Sequence, residues 1–500
     1  MRPIEMLLSI TNLLAFVVVA TPLARTMFWM RYCVPVAPLI AVAQVLVEGS
    51  RWQMVPAYVL TGLLVLVWLQ HTSGLHGSVG HLLSNRLAVG LAVGLGVLAL
   101  VVSIALPLAL PVFRFPPPSG PYAIGTLTYH WVDSSRPELF TTDLNDHREL
   151  MAQVWYPAKN EPAAARAPYI QDADVVTPAL ARLIHLPEFL FTHFKYVTTN
   201  AVVAASIADD TSSYPVLIYL TGLDGFRAVS TFQIEELVSH GYIVVGLDQP
   251  GAVAMVRLPD GRHISGLPKD EIQPLIDQSI EQQPKTPTLN GRALSNGIIP
   301  YFAQDVSFTL DQLAELNRAD PNQILTGRLD LGQVGTFGIS LGGMHAAAAC
   351  LKDPRLKACL IMDVWMPADV VKAGLQQPSM FVTRDADTMR LERQRSGGWT
   401  EKDIALTLST MRMVYEELPG DGYYIEIPTL FHLNFTDLPY WSPVTSQLGL
   451  TGPIKGQRAH DIINAYSLAF FDRHLLGQSA ALLDGPPEQY PEVIFETRQP

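Results

Sequence analysis

The sequence predicts an α/β fold, a mostly parallel sheet flanked by helices, preceded by about four membrane-spanning helices. Three observations carry that prediction. Residues 1–113 are nearly free of charge, short apolar runs alternate with helical spacing after residue 120, and a glycine-flanked serine sits between one such run and a helix. The chain has 500 residues, of which 49% are hydrophobic and 16% charged. Soluble domains carry roughly 25% charge, so a disordered chain is excluded and a membrane part is expected. Residues 1–113 hold five Arg, two Glu and no Lys or Asp, a net +3; the whole chain carries −12, which leaves −15 for residues 114–500. An acidic body argues against nucleic acid as a partner, since a phosphate backbone selects basic faces.

Four apolar stretches fill residues 1–113, at 6–23, 33–47, 55–69 and 87–110. About 20 apolar residues cross a ~30 Å hydrocarbon core. The first and last stretches meet that length, and the middle two need flanking residues and an interfacial Trp29, Tyr58 and Trp68, or else form a re-entrant hairpin. A multi-pass membrane location is expected, with membrane lipid as a partner. Three further stretches after the first argue against a cleaved secretory leader. Arg2, Arg51 and Arg114 on one side balance Arg25, Arg31 and Arg86 on the other, so the charges assign no side to the body. Gly90 and Gly94 form a small-xxx-small pair of the kind that brings helices together. Glu48 and Arg51 are the polar residues between two spans, read first as loop chemistry.

Residues 114–121, Arg-Phe-Pro-Pro-Pro-Ser-Gly-Pro, form a stiff spacer that no helix crosses. The body, 122–500, then alternates. Strands are expected at 126–132, 150–156, 214–220, 242–247, 334–337, 358–362, 379–382 and 423–427. Helices are expected at 229–240, 301–316, 341–351, 401–415 and 461–475. Continuous apolar runs such as Tyr214–Leu220 fit strands buried on both faces. Asp260-Gly261 suits a hairpin turn. Aromatic and apolar residues at 170–210 fall outside any strand slot and suggest a cap.

The chemistry centres on Gly338-Ile339-Ser340-Leu341-Gly342, a G-x-S-x-G turn between a strand and an Ala-rich helix. Such a turn projects the serine while its glycines admit close backbone approach. A serine hydroxyl needs a base, and the base an orienting acid. In chain order the acid and then His come after the serine. His432 lies in the loop after the last expected strand; His460 is second, and His345 and His474 sit inside helices. Two acid slots remain open at this point: Asp363, and the pair Asp385 and Asp387, each after a strand. An Asp at a strand end is often only a turn or cap residue. The oxyanion donors are the backbone N–H of Leu341 and one from the glycine-rich loop Thr221–Arg227. The three cysteines, Cys33, Cys350 and Cys359, have no metal-ligand spacing, and neither metal nor cofactor is expected.

The loop Thr221-Gly222-Leu223-Asp224-Gly225-Phe226-Arg227, the stretch Ser239–Val244, the serine turn, Met362-Asp363-Val364-Trp365-Met366 and Phe431–Asp437 together resemble the platelet-activating factor acetylhydrolase family of α/β-hydrolases. The resemblance covers most of residues 120–475. It implies an α/β-hydrolase fold, Ser340 as nucleophile, His432 as base, Asp363 rather than Asp385 or Asp387 as acid, and the N–H groups of Leu223 and Leu341 as oxyanion donors. It implies as substrates phospholipids with short or oxidised acyl chains, or other small esters. Two departures stand out. The family's loop reads His-Gly-Leu-Gly, where this chain has Thr221 and Asp224 at the first and fourth positions. The N-terminal spans resemble those of bacterial membrane-attached hydrolases instead. The expectation is a membrane-anchored serine ester hydrolase working through an acyl-enzyme. The alternatives are an inactive α/β-hydrolase fold with a binding role and, from the near absence of ionisable residues in the spans, less readily a transporter.

Overall fold

The computed structural model describes residues 1–21, 32–72, 86–485 and 488–499. The chain divides into two compact units: Met1–Phe113 with Trp441–Val444, and Arg114–Tyr440 with Thr445–Pro500.

Among the described residues the first unit holds four helices: Pro3–Ala20, Cys33–Glu48, Val55–Thr72 and Arg86–Ala109. Three of them are long and apolar enough to cross a membrane; the stretch expected at 33–47 becomes a helix of 16 residues, below that length. The stretch expected at 55–69 gains length at both ends, through a short 3₁₀ turn at Trp52–Met54 and a helix that runs on to Thr72. The last two residues of the span expected at 6–23, and Arg25 and Arg31, lie outside the described residues. The helices present apolar side chains outward, with Leu39, Leu46, Leu87 and Leu91 all more than two-thirds exposed. Polar side chains turn inward instead: Thr61 donates to Asn12 at 2.8 Å, and Tyr58 donates to Gln44. Glu5 accepts two bonds from Arg51, at 2.7 and 2.8 Å, so Arg51 pins the start of the first helix rather than lying in a free loop. Gly90 and Gly94 have nothing within 4 Å of where a Cβ would stand; the close approach is at Gly96, 2.4 Å from the Phe16 ring.

The second unit is built on an 11-stranded sheet. Its order is Ile494–Arg498, Gly422–Glu426, Ser379–Thr383, Leu356–Met362, Leu329–Ile339, Tyr214–Leu220, Ile243–Asp248, His147–Ala158, Ala123–Pro137, Thr198–Val203 and Arg166–Pro168. The six strands from Gly422–Glu426 to Ile243–Asp248 run parallel; His147–Ala158 and the C-terminal strand pair antiparallel at either side. Every residue of Tyr214–Leu220 and Ile243–Asp248 is buried, as their unbroken apolar runs demand when helices cover both faces. Helices Thr231–Ser239, Ile299–Arg318, Leu341–Lys352 and Gly456–Leu476 flank the sheet. The hairpin around Asp260-Gly261 forms, pairing Met255–Arg257 with His263–Ser265. Residues 170–210 hold a helix, Ala173–Leu183, a 3₁₀ segment, Glu188–Tyr196, and a strand, Thr198–Val203, that joins the main sheet.

Candidate active site

Strand Leu329–Ile339 ends at Ser340, and helix Leu341–Lys352 begins on the next residue. Ser340 has φ 55° and ψ −129°, backbone that an L-residue enters only when its surroundings over-determine it. The glycines make the turn possible. A Cβ on Gly338 would lie 2.3 Å from the carbonyl oxygen of Gly342, and one on Gly342 would lie 2.1 Å from that of Leu220. The N–H of Ser340 donates to Met362 at 2.9 Å, tying the turn to the end of the neighbouring strand.

Asp363 comes directly after that strand, also at positive φ (49°), and its N–H donates to Val382 at 2.8 Å. Its side chain is fully buried, with Oδ2 2.6 Å from Nδ1 of His432, which the loop after strand Gly422–Glu426 delivers. A carboxylate only accepts, so Nδ1 donates the proton in this contact. Burial alone raises the Asp363 carboxyl, but the Arg384 charge and the His432 hydrogen bond outweigh it and hold it at about 2. A cavity of about 500 Å³ is lined by Leu223, Ser340, Leu341, Asp363, Trp365, Trp399 and His432. The five residues singled out from the sequence therefore meet in one place. Lys269, Gln273, Ile276 and Asp277 of helix Lys269–Ile280 line it as well. None of the lining residues belongs to 170–210.

The competing residues sit elsewhere. Asp385 caps helix Ala386–Ser396, accepting from the Thr388 N–H at 2.8 Å and its hydroxyl at 2.6 Å. Asp387 is exposed and paired with Arg390 at 2.9 Å. His345 is buried and meets Gln249 at 2.8 Å. His460 is buried and stacks on Phe232 at 3.7 Å. Burial pushes both imidazoles down to about 3, a direction that suits packing and not proton transfer near neutrality. His474 pairs with the Tyr423 hydroxyl at 3.1 Å.

The loop that carries Leu223 is fixed by its neighbours. The Asp224 N–H donates to Ala252 at 2.8 Å and the Gly225 N–H to Gly222 at 3.1 Å. Asp224 has φ 61°, the conformation a glycine takes without strain, and its carboxyl oxygen Oδ1 is buried without a hydrogen-bond partner. Burial raises this carboxyl to about 6 against the weaker opposing charge of Lys269.

Three neighbours of the His–Asp couple are not apparent from the sequence: Arg384, Glu392 and Trp399. Arg384 and Glu392 are buried, and Trp399 places its ring 5.1 Å from that of His432. Arg384 directly precedes the Asp385 acid slot, and that adjacency is the one signal the sequence offers.

Among the described residues no cluster of three or more His, Cys, Asp or Glu could hold a metal ion. A largely parallel sheet with a strand–serine–helix turn and a His–Asp couple beyond later strands defines an α/β-hydrolase. The family model for platelet-activating factor acetylhydrolase, isoform II, matches residues 110–261 and 312–480. The chain belongs to that family. A probable 1-alkyl-2-acetylglycerophosphocholine esterase of Arthroderma benhamiae is 24% identical over 415 residues, 77% of this chain and 94% of that protein. The platelet-activating factor acetylhydrolase of Cavia porcellus is 25% identical over 302 residues, 57% of this chain and 64% of the relative. A ferulic acid esterase from Streptomyces cinnamoneus has a similar structure, with a TM-score of 0.58 at 25% identity, covering 77% of this chain and 99% of the esterase. Residues 262–311, which carry the cavity-lining helix Lys269–Ile280, fall in the gap between the two matched segments.

Proposed function

We propose that this chain is a membrane-anchored carboxylic ester hydrolase that cleaves short-chain or lipid-derived esters through an acyl-enzyme. The observation that carries the reading is the 2.6 Å His432–Asp363 contact in the same cavity as Ser340. Ser340 Oγ attacks the ester carbonyl as His432 Nε2 takes its proton. Asp363 holds the ring in the Nδ1–H tautomer and stabilises the imidazolium. The N–H groups of Leu223 and Leu341 receive the oxyanion, the latter with the positive end of helix Leu341–Lys352 behind it. His432 returns its proton to the departing alkoxide. Water activated by the same ring then cleaves the acyl-enzyme.

The esterase names of the relatives support this reading over an inactive membrane-attached fold with a binding role, and the three membrane-length helices support the anchoring. Anchoring holds the site at a bilayer and raises the local concentration of lipid-derived esters. Helix Lys269–Ile280, lying in the gap between the matched segments, lines part of the cavity and so bears on the acyl and alcohol preference. Turnover of nitrophenyl and acetylated glycerophosphocholine esters, graded by acyl length, tests the proposal. Hydrolysis that falls with chain length and vanishes in Ser340→Ala and His432→Ala supports it; no hydrolysis of any ester by folded wild-type protein overturns it.

A further inference from the structure

We propose that Arg384 and Glu392 form a charge-balanced positioning pair for the Asp363–His432 couple: Arg384 fixes the carboxylate, and Glu392 keeps the cluster net negative so that a protonated imidazole is favoured. This rests on the catalytic reading of Ser340, Asp363 and His432.

Arg384 sits just past strand Ser379–Thr383 and is fully buried. Its Nε stands 2.9 Å from Asp363 Oδ2, the oxygen that also accepts from His432, in an ion pair off the axis of a hydrogen bond. Its Nη1 pairs with Glu392 Oε2, from helix Ala386–Ser396. That same Oε2 lies 3.4 Å from the His432 backbone N. Trp399 covers the group, its ring centroid 4.7 Å from the guanidinium carbon and 5.1 Å from the His432 ring. The pair thus touches the acid from one element and the base's backbone from another.

Charge counting gives the role. An arginine beside the acid stabilises its ionised form, yet by itself cancels the negative charge that makes imidazolium favourable. With Glu392 ionised, the buried cluster of Asp363, Arg384 and Glu392 carries −1 while His432 is neutral. It becomes neutral overall when His432 takes the serine proton. Without Glu392 the same step creates a net positive charge in a buried site. Other charged groups that line the cavity are Lys269, Asp277 and Asp403, which are common to all the variants below.

The test is the pH profile of kcat/KM for a short-chain nitrophenyl ester, on full-length protein in detergent. Glu392→Gln should move the acidic limb to lower pH by about one unit and lower turnover about tenfold. Arg384→Gln should move the limb to higher pH. Arg384→Met with Glu392→Gln restores −1 and should return the limb to within a few tenths of a unit of wild type, with turnover still lowered about tenfold or more because the guanidinium contact on Asp363 is gone. A pair that merely braces the helix predicts lower melting temperatures and no movement of the limb. Folded single variants with the wild-type limb, or a double variant that keeps a single variant's limb, overturn the proposal; if one single variant does not fold, the other and the double decide. Asp363→Asn separates the two levels: near-normal turnover there removes the triad reading itself, whereas an inactive Asp363→Asn beside an unmoved Glu392→Gln profile removes only the pair.

Discussion

Two neighbouring strands of the sheet end in similar sequence, Met362-Asp363 and Thr383-Arg384-Asp385, and the structure uses the two ends for different work. Asp363 is buried at positive φ with its carboxylate on the His432 ring. Asp385 has ordinary extended backbone, φ −74° and ψ 160°, and spends both oxygens on Thr388 at a helix start. The difference lies in the backbone just beyond each strand. After Met362 the chain runs through irregular backbone before its next helix at Ala368, and the carboxylate is left to the cavity. After Thr383 a helix begins within three residues, and its unpaired N–H groups claim the nearest carboxylate as a cap. The second strand end then contributes a cation, Arg384, to the first one's acid. A local helix signal thus decides which carboxylate is left uncapped to meet the His432 ring.

The largest expected effect is at Asp363. Asp363→Asn keeps the shape but favours the wrong tautomer of His432, and kcat for ester hydrolysis should fall by up to ~10⁴-fold. Asp385→Asn should stay within about tenfold of wild-type kcat. Asp385→Ala should cost the helix about 1 kcal/mol, read as a lower midpoint in urea. A strongly inactive Asp385→Asn beside an active Asp363→Asn would reverse the comparison. Asp224 sharpens it from a third position, as a carboxylate with neither a catalytic partner nor a cap. Its folded carboxyl sits near 6, above the ~3.9 of an unfolded chain, so the folded state holds the extra proton and stability falls as pH rises from about 4 to 6. Asp224→Asn, which tolerates the same φ, should therefore raise stability at pH 8 by about 1 kcal/mol after allowance for solvent screening, and leave it unchanged at pH 3.5. Equal melting temperatures of the two proteins at pH 8 would contradict this. The smallest effect is at Asp387, exposed and paired only with Arg390: Asp387→Asn should change stability by under about 0.5 kcal/mol.

Much of this was legible in the residues. Tyr214–Leu220 begins and ends where its apolar run does, and the serine turn announces itself because glycine spacing, a strand and an Ala-rich helix coincide. Which Asp meets His432 was not legible from chain order, since both strand ends precede His432; only the family resemblance favoured Asp363. The helix Ala386–Ser396 escaped because four of its eleven residues are Arg or Glu and its apolar spacing is weak. Arg384 and Glu392 escaped with it, as a buried ion pair leaves no period in the sequence. The 170–210 segment looked like a cap because its aromatics fit no strand slot, yet its final part, Thr198–Val203, pairs parallel to Ala123–Pro137. The Gly90/Gly94 spacing was visible, but spacing alone does not name the partner, and the close contact formed at Gly96.

The most direct measurement is covalent labelling of the full-length protein in detergent with a fluorophosphonate, read by intact mass and peptide mapping. An activated serine displaces fluoride and keeps the phosphonyl group. The account predicts one adduct, on Ser340, with loss of ester hydrolysis in proportion to labelling, and no adduct in Ser340→Ala or in His432→Ala on the same timescale. Labelling at another residue, or ester hydrolysis that persists in Ser340→Ala, would contradict it.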